Sequence, residues 1–315
     1  MNKNSKIFVA GHKGMVGSAI LKELKLKGYN NIVIKSKYNL DLMNFKLVKK
    51  FFKNEKPDIV INAAAKVGGI LANQNYPYQF LLENLKIQNN IIENSFNYNV
   101  KKFIFLGSSC IYPKFADQPL KEDYLLTSSL ESTNQWYAIA KISGLKLCQS
   151  IRKQFNKDFF SLMPTNLYGY NDNFDLNTSH VLPSMIRKFH EAKINNSDVQ
   201  LWGSGKPMRE FLFVDDLARA VIFSLENKLE EDFYNVGSGK EISIKDLANL
   251  IQKIVGHKGK IKWDKSKPDG TPRKLLDVSK MNRIGWSYST ELRDGVNKTY
   301  DWFLKNVNNL KINNY

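Results

Sequence analysis

The chain has 315 residues, of which 43% are hydrophobic and 24% charged, a balance typical of a folded protein with one large α/β domain and a smaller lobe. Its two cysteines argue against a disulfide framework or a zinc site, and no apolar run has the about 18 residues of a membrane span or the core of a signal peptide. The net charge of +17 comes from lysines spread along the sequence without a nucleic-acid-binding motif. We therefore expect a cytoplasmic protein that binds no nucleic acid, membrane or metal, and in which local basic residues can attract an anionic ligand.

The first predicted element is a short apolar strand at residues 6–10, followed by three glycines spaced three apart and a helical pattern at 18–27. This order is typical of a dinucleotide-binding turn, because a backbone without side chains can approach a pyrophosphate and the helix N-terminus supplies N–H groups. The alternative is a glycine-rich loop that merely turns the chain. The pattern predicts cofactor contacts from seven residues in a row: Gly11, His12, Lys13, Gly14, Met15, Val16 and Gly17.

The second strand, at residues 31–34, is followed by Lys35 and Lys37. An acid at this distance usually binds the adenosine ribose of NAD, whereas lysines favour the 2′-phosphate of NADP. The cofactor is therefore predicted to be NADPH, unless both lysines are only solvated. Asp41 is placed to reach the adenine amino group, with Leu42 beside it.

Further strands are predicted at residues 58–61, 101–106 and 159–163, with a long helix at 78–98. Strands that alternate with helices predict a doubly wound parallel sheet (Rossmann, α/β), whose ligands lie beyond the carboxyl ends of the strands. Residues that follow these ends should converge on one cleft. The predicted cofactor contacts there are Ala64, Leu106, Gly107, Ser108, Pro164, Thr165, Asn166 and Leu167.

Tyr137 and Lys141 are four residues apart, which places them on one face of a helix. A lysine ammonium favours the phenolate, so we expect Lys141 to lower the pKa of Tyr137 towards neutrality and make it a proton donor to a carbonyl. An ordinary exposed pair is the alternative. The neighbouring Ser108 and Cys110 strengthen the catalytic interpretation.

The organisation changes after residue 168, where an Asn- and Asp-rich loop precedes a helix at 181–192. We predict an NADP-binding domain at 1–168, to which 209–240 returns, and a smaller C-terminal α+β substrate-binding lobe at 169–208 and 241–315. Residue types suited to a charged diphosphate and a purine in this lobe are Arg187, Lys188, Trp202, Arg209, Asp269, Arg273 and Lys274.

The glycine turn, the segment at 108–110 and the pair formed by Tyr137 and Lys141 together resemble the GDP-L-fucose synthase family, within the extended short-chain dehydrogenase/reductases. The most specific motifs are the Ser-Ser-Cys-Ile-Tyr-Pro stretch at 108–113 and the Lys-Pro-Asp-Gly-Thr-Pro-Arg-Lys stretch at 267–274. The resemblance implies that NADPH reduces the C4 ketone of a GDP-4-keto-6-deoxy-sugar while Tyr137 protonates the ketone oxygen. Lys141 and Ser108 then act on Tyr137, the first by its charge and the second by a hydrogen bond. The resemblance also implies that Cys110 and His180 exchange protons at C3 and C5. By the same resemblance Tyr137, Lys141 and His180 also contact the cofactor, with Lys141 on the nicotinamide ribose. The substrate contacts include Ser109, Cys110, Asn166 and Val181.

Departures from the family pattern leave rivals open. Gln135-Trp136 and Tyr170 stand where relatives commonly carry Glu-Pro and Pro, so Trp136 and Tyr170 are expected to flank the sugar pocket. The closest rival is a dedicated C4 reductase of a related GDP-4-keto-sugar, such as a heptose. More distant rivals are a 4,6-dehydratase or 4-epimerase and a non-catalytic NADPH-binding regulator. The resemblance also implies a homodimer formed through the helices at 78–98 and 135–155, and a role in surface polysaccharide synthesis.

Overall fold

The computed structural model describes residues 2–267 and 269–309. Pro268 of the predicted 267–274 motif, Met1 of the predicted first domain and residues 310–315 of the predicted lobe lie outside the described residues. The strands are, in chain order, Ile7–Ala10 (β1), Ile32–Val33 (β2), Ile59–Asn62 (β3), Lys102–Leu106 (β4), Asp158–Pro164 (β5), Asn166–Tyr168 (β6), Val199–Trp202 (β7), Met208–Phe213 (β8), Phe233–Val236 (β9), Glu241–Ser243 (β10), Ile261–Asp264 (β11) and Arg273–Lys274 (β12).

The helices flank these strands. They are Met15–Leu26 (α1), Phe45–Glu55 (α2), Ile70–Asn75 (α3), Pro77–Asn97 (α4), Gln135–Phe155 (α5), Val181–Ile194 (α6), Val214–Glu226 (α7), Ile244–Val255 (α8), Ser279–Arg283 (α9) and Leu292–Asn306 (α10). Single 3₁₀ turns occur at Ser109–Ile111, Glu122–Tyr124 and Val307–Asn309. Within the described ranges, no helix is both long and apolar enough to cross a membrane.

A six-stranded parallel sheet forms the centre of the molecule, in the order β2-β1-β3-β4-β5-β9. Its inner strands are almost continuous apolar runs, because helices cover both faces and exclude water from each. Helices α1 and α7 pack on one face and α2, α4 and α5 on the other. The prediction of a doubly wound α/β sheet is confirmed.

A smaller unit follows the central sheet. Strand β8 lies between β10, which is antiparallel to it, and β12, which is parallel, and it also pairs with β6. A separate parallel pair joins β7 and β11. Helices α6, α8 and α10 enclose the apolar core between these strands. Of the segment 209–240, α7 and β9 lie with the central sheet and β8 lies in the smaller one, so the proposed domain division remains a prediction.

Candidate active site

The glycine turn between β1 and α1 is packed so closely that two of its glycines admit no side chain. Gly11 has a φ of +81°, and a Cβ built there would lie 2.8 Å from the Ala63 carbonyl carbon; one on Gly17 would clash with the Gly11 carbonyl oxygen. Gly14 differs, because a Cβ there would meet only the Gly11 oxygen, at 3.5 Å. It is the N-cap residue of α1 and therefore lies directly before the first free N–H groups of that helix.

The two lysines after β2 have different surroundings. Lys35 forms an ion pair with Glu55, with 3.2 Å between Nζ and Oε1. Lys37 is exposed and makes no hydrogen bond or ion pair with any residue in the described ranges. Asp41 accepts a hydrogen bond from the Met43 amide at 3.0 Å, and the Leu42 carbonyl accepts one from Asn90 at 2.9 Å. Of the two lysines, Lys37 is the one with a charge available to a ligand.

The end of β4 carries the predicted serine and thiol. Ser108 caps the following 3₁₀ turn, and its hydroxyl accepts a hydrogen bond from the Cys110 amide at 3.3 Å. Cys110 is buried, and burial raises the pKa of its thiol, while the Lys274 and Lys141 ammonium groups and the Ser108 hydroxyl oppose that rise. In the absence of substrate the thiol is therefore protonated at neutral pH.

The loop that bears Cys110 is fastened to the last strand of the central sheet. Its Tyr112 hydroxyl donates to the side-chain oxygen of Asn235 on β9. The Asn235 side-chain nitrogen donates to the Leu120 and Asp277 carbonyl oxygens at 2.9 and 3.1 Å, and its amide donates to Glu122 at 2.9 Å. Both Asn235 and Glu122 are buried. This network holds the segment that follows the thiol, from Tyr112 to Glu122.

Helix α5 places Tyr137 and Lys141 next to that loop. The Lys141 ammonium is buried, donates a hydrogen bond to the Leu106 carbonyl oxygen at 2.8 Å and lies 5.6 Å from the centre of the Tyr137 ring. The Tyr137 ring packs edge-on against Phe80, with 6.3 Å between ring centres. The spacing of four residues therefore does bring both groups to one side of the helix.

The expected direction of the Tyr137 pKa shift was wrong. Burial raises the pKa of Tyr137, and the nearby Cys110 raises it further, because both disfavour a phenolate. The same loss of solvation lowers the pKa of Lys141 to about 8. Tyr137 is consequently a neutral phenol at neutral pH, which is the form that can donate a proton to a carbonyl oxygen.

His180 comes from the other side of the cleft. It is the N-cap residue of α6, and its side chain makes no capping hydrogen bond. The preceding loop is held by Asp175, which accepts from the Thr178 amide and hydroxyl at 3.0 and 2.9 Å, and by the Gly69 amide, which donates to the Thr178 carbonyl at 2.9 Å. His180 as a whole residue is exposed, but loss of solvation at its imidazole lowers the pKa of His180, and the positive charge of Lys274 lowers it further.

Lys274 on β12 links these two groups. Its charge acts on both Cys110 and His180, and its own pKa is lowered by burial, with Arg209 adding to that shift and Cys110 opposing it. Arg209 on β8 also has a pKa lowered by burial, with Asp269 and Glu131 opposing the shift. The structure therefore brings Cys110, Tyr137, Lys141, His180 and Lys274 into one cleft.

The residues at the end of β5 and directly after it connect the central sheet with the smaller sheet that contains β8. The Thr165 hydroxyl and the Asn166 side chain donate to the Glu210 carbonyl at 3.3 and 2.8 Å. The buried Glu210 carboxylate accepts in turn from the Gly239 and Leu276 amides, at 2.8 and 2.9 Å. Pro164 ends β5 and Leu167 pairs with β8. The side chain of Asn166 is thus engaged with β8.

The remaining predicted substrate residues lie further along the cleft. Asp269 binds the Ser204 amide and hydroxyl at 2.6 and 2.7 Å. Trp202 is exposed at the rim of a cavity of about 520 Å³ between α6, β7 and β11. The ammonium groups of Lys188 and Lys267 lie 5.8 and 5.6 Å from the centre of its ring.

Four predicted residues lie elsewhere or are engaged otherwise. The Arg187 guanidinium binds Glu191 at 2.7 Å through Nε and the Phe174 carbonyl at 3.2 Å through Nη1, so two of its nitrogens donate within the protein. Arg273 forms an ion pair with Glu241. The Tyr170 ring packs on Phe213 with 5.4 Å between ring centres, and neither it nor Trp136 lines the cavity at Cys110.

That narrow cavity contains residues that the sequence patterns did not single out. Lys114 and Glu131 form an ion pair across it, with 3.0 Å between Nζ and Oε2. Asn134 lies beside them. Three other polar residues also line this cavity, and each is predicted from the sequence as a substrate contact or as suited to the substrate: Ser109, Lys274 and Arg273. Asn134 could have been recognised from its spacing, because it precedes Tyr137 by three residues. Among the described residues, no group of three or more His, Cys, Asp or Glu side chains could hold a metal ion.

Comparisons with known proteins show which family the chain belongs to. Residues 7–237 match the NAD dependent epimerase/dehydratase family. The chain is 56% identical over 309 residues to GDP-L-fucose synthase 1 of Arabidopsis thaliana, covering 98% of this chain and 96% of the relative. A GDP-6-OMe-4-keto-L-xylo-heptose reductase from C. jejuni has a TM-score of 0.92 at 38% identity, covering 97% and 99% of the two chains.

A third relative was solved with a cofactor bound. A GDP-L-fucose synthetase from Naegleria fowleri, solved bound to NADP, has a TM-score of 0.90 at 29% identity and covers 98% of this chain and 97% of its own. The matches extend over nearly the whole length of both partners. The resemblance seen in the sequence is therefore confirmed, and the chain belongs to the GDP-L-fucose synthase family, within the NAD dependent epimerase/dehydratase family.

Proposed function

We propose that the chain converts GDP-4-keto-6-deoxy-mannose to GDP-L-fucose, by proton exchange at C3 and C5 and reduction of the C4 ketone with NADPH. One observation carries the proposal: a phenol, an ammonium, a thiol and an imidazole share one cleft, and the charge of Lys274 acts on both the thiol and the imidazole. A reductase alone needs only the first pair.

The glycine turn fits a dinucleotide. Gly14 leaves the backbone open directly before α1, where a pyrophosphate can approach the free N–H groups and the positive end of the helix dipole. Met15 and Val16 begin that helix, and His12 and Lys13 lie within the turn. Lys37 supplies a charge at the distance of the adenosine ribose. These features suit NADPH, which when bound supplies the hydride for C4.

The chain's own residues complete the reduction. Tyr137 donates its phenolic proton to the C4 oxygen, and Ser108 donates a second hydrogen bond to the same oxygen. Lys141, held by the Leu106 carbonyl, keeps a positive charge beside the phenol and stabilises the phenolate left after the transfer. In this buried site that charge has a larger effect than it would in water.

The thiol and imidazole provide the epimerisation. The C4 ketone makes the protons on C3 and C5 acidic, and inversion requires one group to remove a proton and another to return one on the opposite face. Cys110 comes from the end of β4 and His180 from the start of α6, so they approach the ring from different elements. Without substrate the thiol is protonated and the imidazole is neutral, so the pair can both give and take a proton.

The nucleotide extends away from this centre. Arg209 and Lys274 offer the diphosphate two half-buried positive charges, and Trp202 offers a flat surface for the base. Lys188 lies next to Trp202, and Val181 begins the helix that carries Lys188. The family also leads us to propose a homodimer formed through α4 and α5, a cytoplasmic location and a product used for surface polysaccharide.

We expect Lys37 to determine the preference for NADPH over NADH. Lys37→Ala should lower the NADPH/NADH ratio of kcat/KM by about 10- to 100-fold, because a hydrogen bond to a charged group contributes about 1.5–3 kcal/mol. Steady-state rates with each cofactor measure it. Lys35→Ala is the matched control, since Lys35 is already paired with Glu55; an equal loss in both variants would contradict the assignment to Lys37.

The proposed function is tested with GDP-4-keto-6-deoxy-mannose in deuterated water, read by NMR before and after NADPH is added. We expect deuterium at C3 and C5 first, and GDP-L-fucose once NADPH is present. No deuterium, with NADPH consumed to give an unepimerised product or only a heptose analogue accepted, would replace the proposal with a dedicated C4 reductase. The C. jejuni heptose reductase is the relative that makes this second outcome worth measuring.

A further inference from the structure

We propose that Asn134 determines substrate specificity by binding the C3 hydroxyl group of the sugar during the reduction. This inference rests on the proposed function. It goes beyond the groups that carry the chemistry, since Asn134 takes no part in proton transfer or in nucleotide binding.

The first argument is what the Asn134 side chain does not do. Asn134 is the N-cap residue of α5, and its carbonyl accepts from the Ala138 amide at 3.0 Å. Asparagine is favoured at this position because its side-chain oxygen usually binds a free N–H of the first turn. Here the side chain makes no such bond, so its orientation is not explained by the stability of the helix.

The second argument is where that side chain lies. Asn134 lines the narrow cavity together with Ser109, Cys110 and Lys274. Its side-chain oxygen is shielded from water and has no hydrogen-bond partner among the described residues. An acceptor in this state is costly to the folded protein, and a ligand that donates to it removes that cost.

The neighbouring Glu131 and Lys114 side chains are already engaged. The Glu131 carboxylate binds Lys114 at 3.0 Å and the Thr271 hydroxyl at 3.5 Å. It thereby joins the segment after β4, the segment before α5 and the segment before β12. This crosslink fixes the walls around Asn134, whose amide remains available to the sugar.

The spacing along α5 selects the hydroxyl group. Asn134, Tyr137 and Lys141 follow one another at intervals of three and four residues, so they lie on one face, with Asn134 about 5 Å from Tyr137 along the axis. When the phenol donates to the C4 oxygen, Asn134 faces a neighbouring ring carbon. C5 carries the methyl group, so the hydroxyl next to C4 is the one on C3. A hydroxyl both donates and accepts, and therefore matches either atom of the amide.

The test compares NADPH consumption with GDP-4-keto-6-deoxy-mannose and with its analogue lacking the C3 hydroxyl. We expect the unmodified protein to prefer the hydroxylated substrate about 10- to 100-fold in kcat/KM, and Asn134→Ala to reduce that preference to about twofold or less. Asn134→Ser keeps a good N-cap residue with a side chain too short to reach, and should lose the preference equally. Asn227→Ala, at the end of α7, is the control that should retain it.

Each outcome decides between the alternatives. A preference retained in Asn134→Ser, or no preference in the unmodified protein, would overturn the role of Asn134 and leave the proposed function intact. An unmodified protein that reduces neither sugar would overturn the proposed function, and this inference with it. Loss of the preference in Asn227→Ala as well would show a general effect on the fold and would also overturn the assignment.

Discussion

Replacing Tyr137 with phenylalanine should slow the reduction of the 4-keto sugar by about 10²- to 10⁴-fold, the usual contribution of a positioned proton donor. The phenol is neutral at neutral pH because burial raises its pKa, so the wild-type group always has a proton to give. Phenylalanine retains the edge-on packing against Phe80, and the loss should therefore appear as chemistry rather than as unfolding. Stopped-flow or steady-state decay of NADPH absorbance measures it.

The matched control is Tyr170→Phe. Tyr170 makes no catalytic contact, because its ring packs on Phe213 and near Lys22. The reduction rate of Tyr170→Phe should therefore remain within about twofold of that of the unmodified protein, as for most surface substitutions. Deuterium exchange at C3 and C5 should fall less than reduction in Tyr137→Phe, since Cys110 and His180 remain in place. A Tyr137→Phe protein that retains more than a tenth of the reduction rate would exclude the phenol as the proton donor.

Replacing Cys110 with serine should remove most of the deuterium exchange, again by about 10²- to 10⁴-fold. A hydroxyl is a far weaker acid than a thiol and cannot take over proton transfer, even with the Lys274 and Lys141 charges nearby. The reduction machinery of Tyr137 and Lys141 is unchanged, so NADPH should still be consumed, and the product should be the unepimerised sugar nucleotide. NMR of the products distinguishes the two sugars.

Cys148→Ala is the control for this experiment. Cys148 is buried in α5 among core residues, so its loss should cost some stability but leave the exchange rate per folded molecule unchanged. Exchange that persists in Cys110→Ser, or is lost equally in Cys148→Ala, would show that the thiol at 110 does not carry protons. The role of His180 would then need a different partner.

The central sheet, the bounds of its strands and the glycine turn could be predicted from the sequence, because short-range residue patterns are enough to locate each of them. Glycine spacing identified the turn before Met15, and apolar runs located the buried strands to within about one or two residues. The predicted helix at 78–98 corresponds to Pro77–Asn97. These features depend on neighbours in the chain, which a pattern can show.

Other features depend on contacts between distant segments. The short strands Asn166–Tyr168 and Arg273–Lys274 form only because β8 pairs with both, and two or three residues carry no periodicity. The direction of the Tyr137 pKa shift was missed because spacing shows that Lys141 is near, whereas burial, which decides the sign, is a property of the folded protein. The effect of the Lys274 charge on both Cys110 and His180 could not be predicted either, because these three residues come from separate segments of the chain.

The hydrogen bonds of the Tyr112 hydroxyl and the Asn235 side chain affect how Cys110 binds its substrate. Each of these buried hydrogen bonds contributes about 1 kcal/mol net, and separating the partners inside the protein costs more. The segment that follows Cys110 therefore has little conformational freedom left when a sugar arrives. The entropy of ordering that segment is lost once, during folding, rather than at every turnover, so binding energy from the nucleotide remains available to orient the ring.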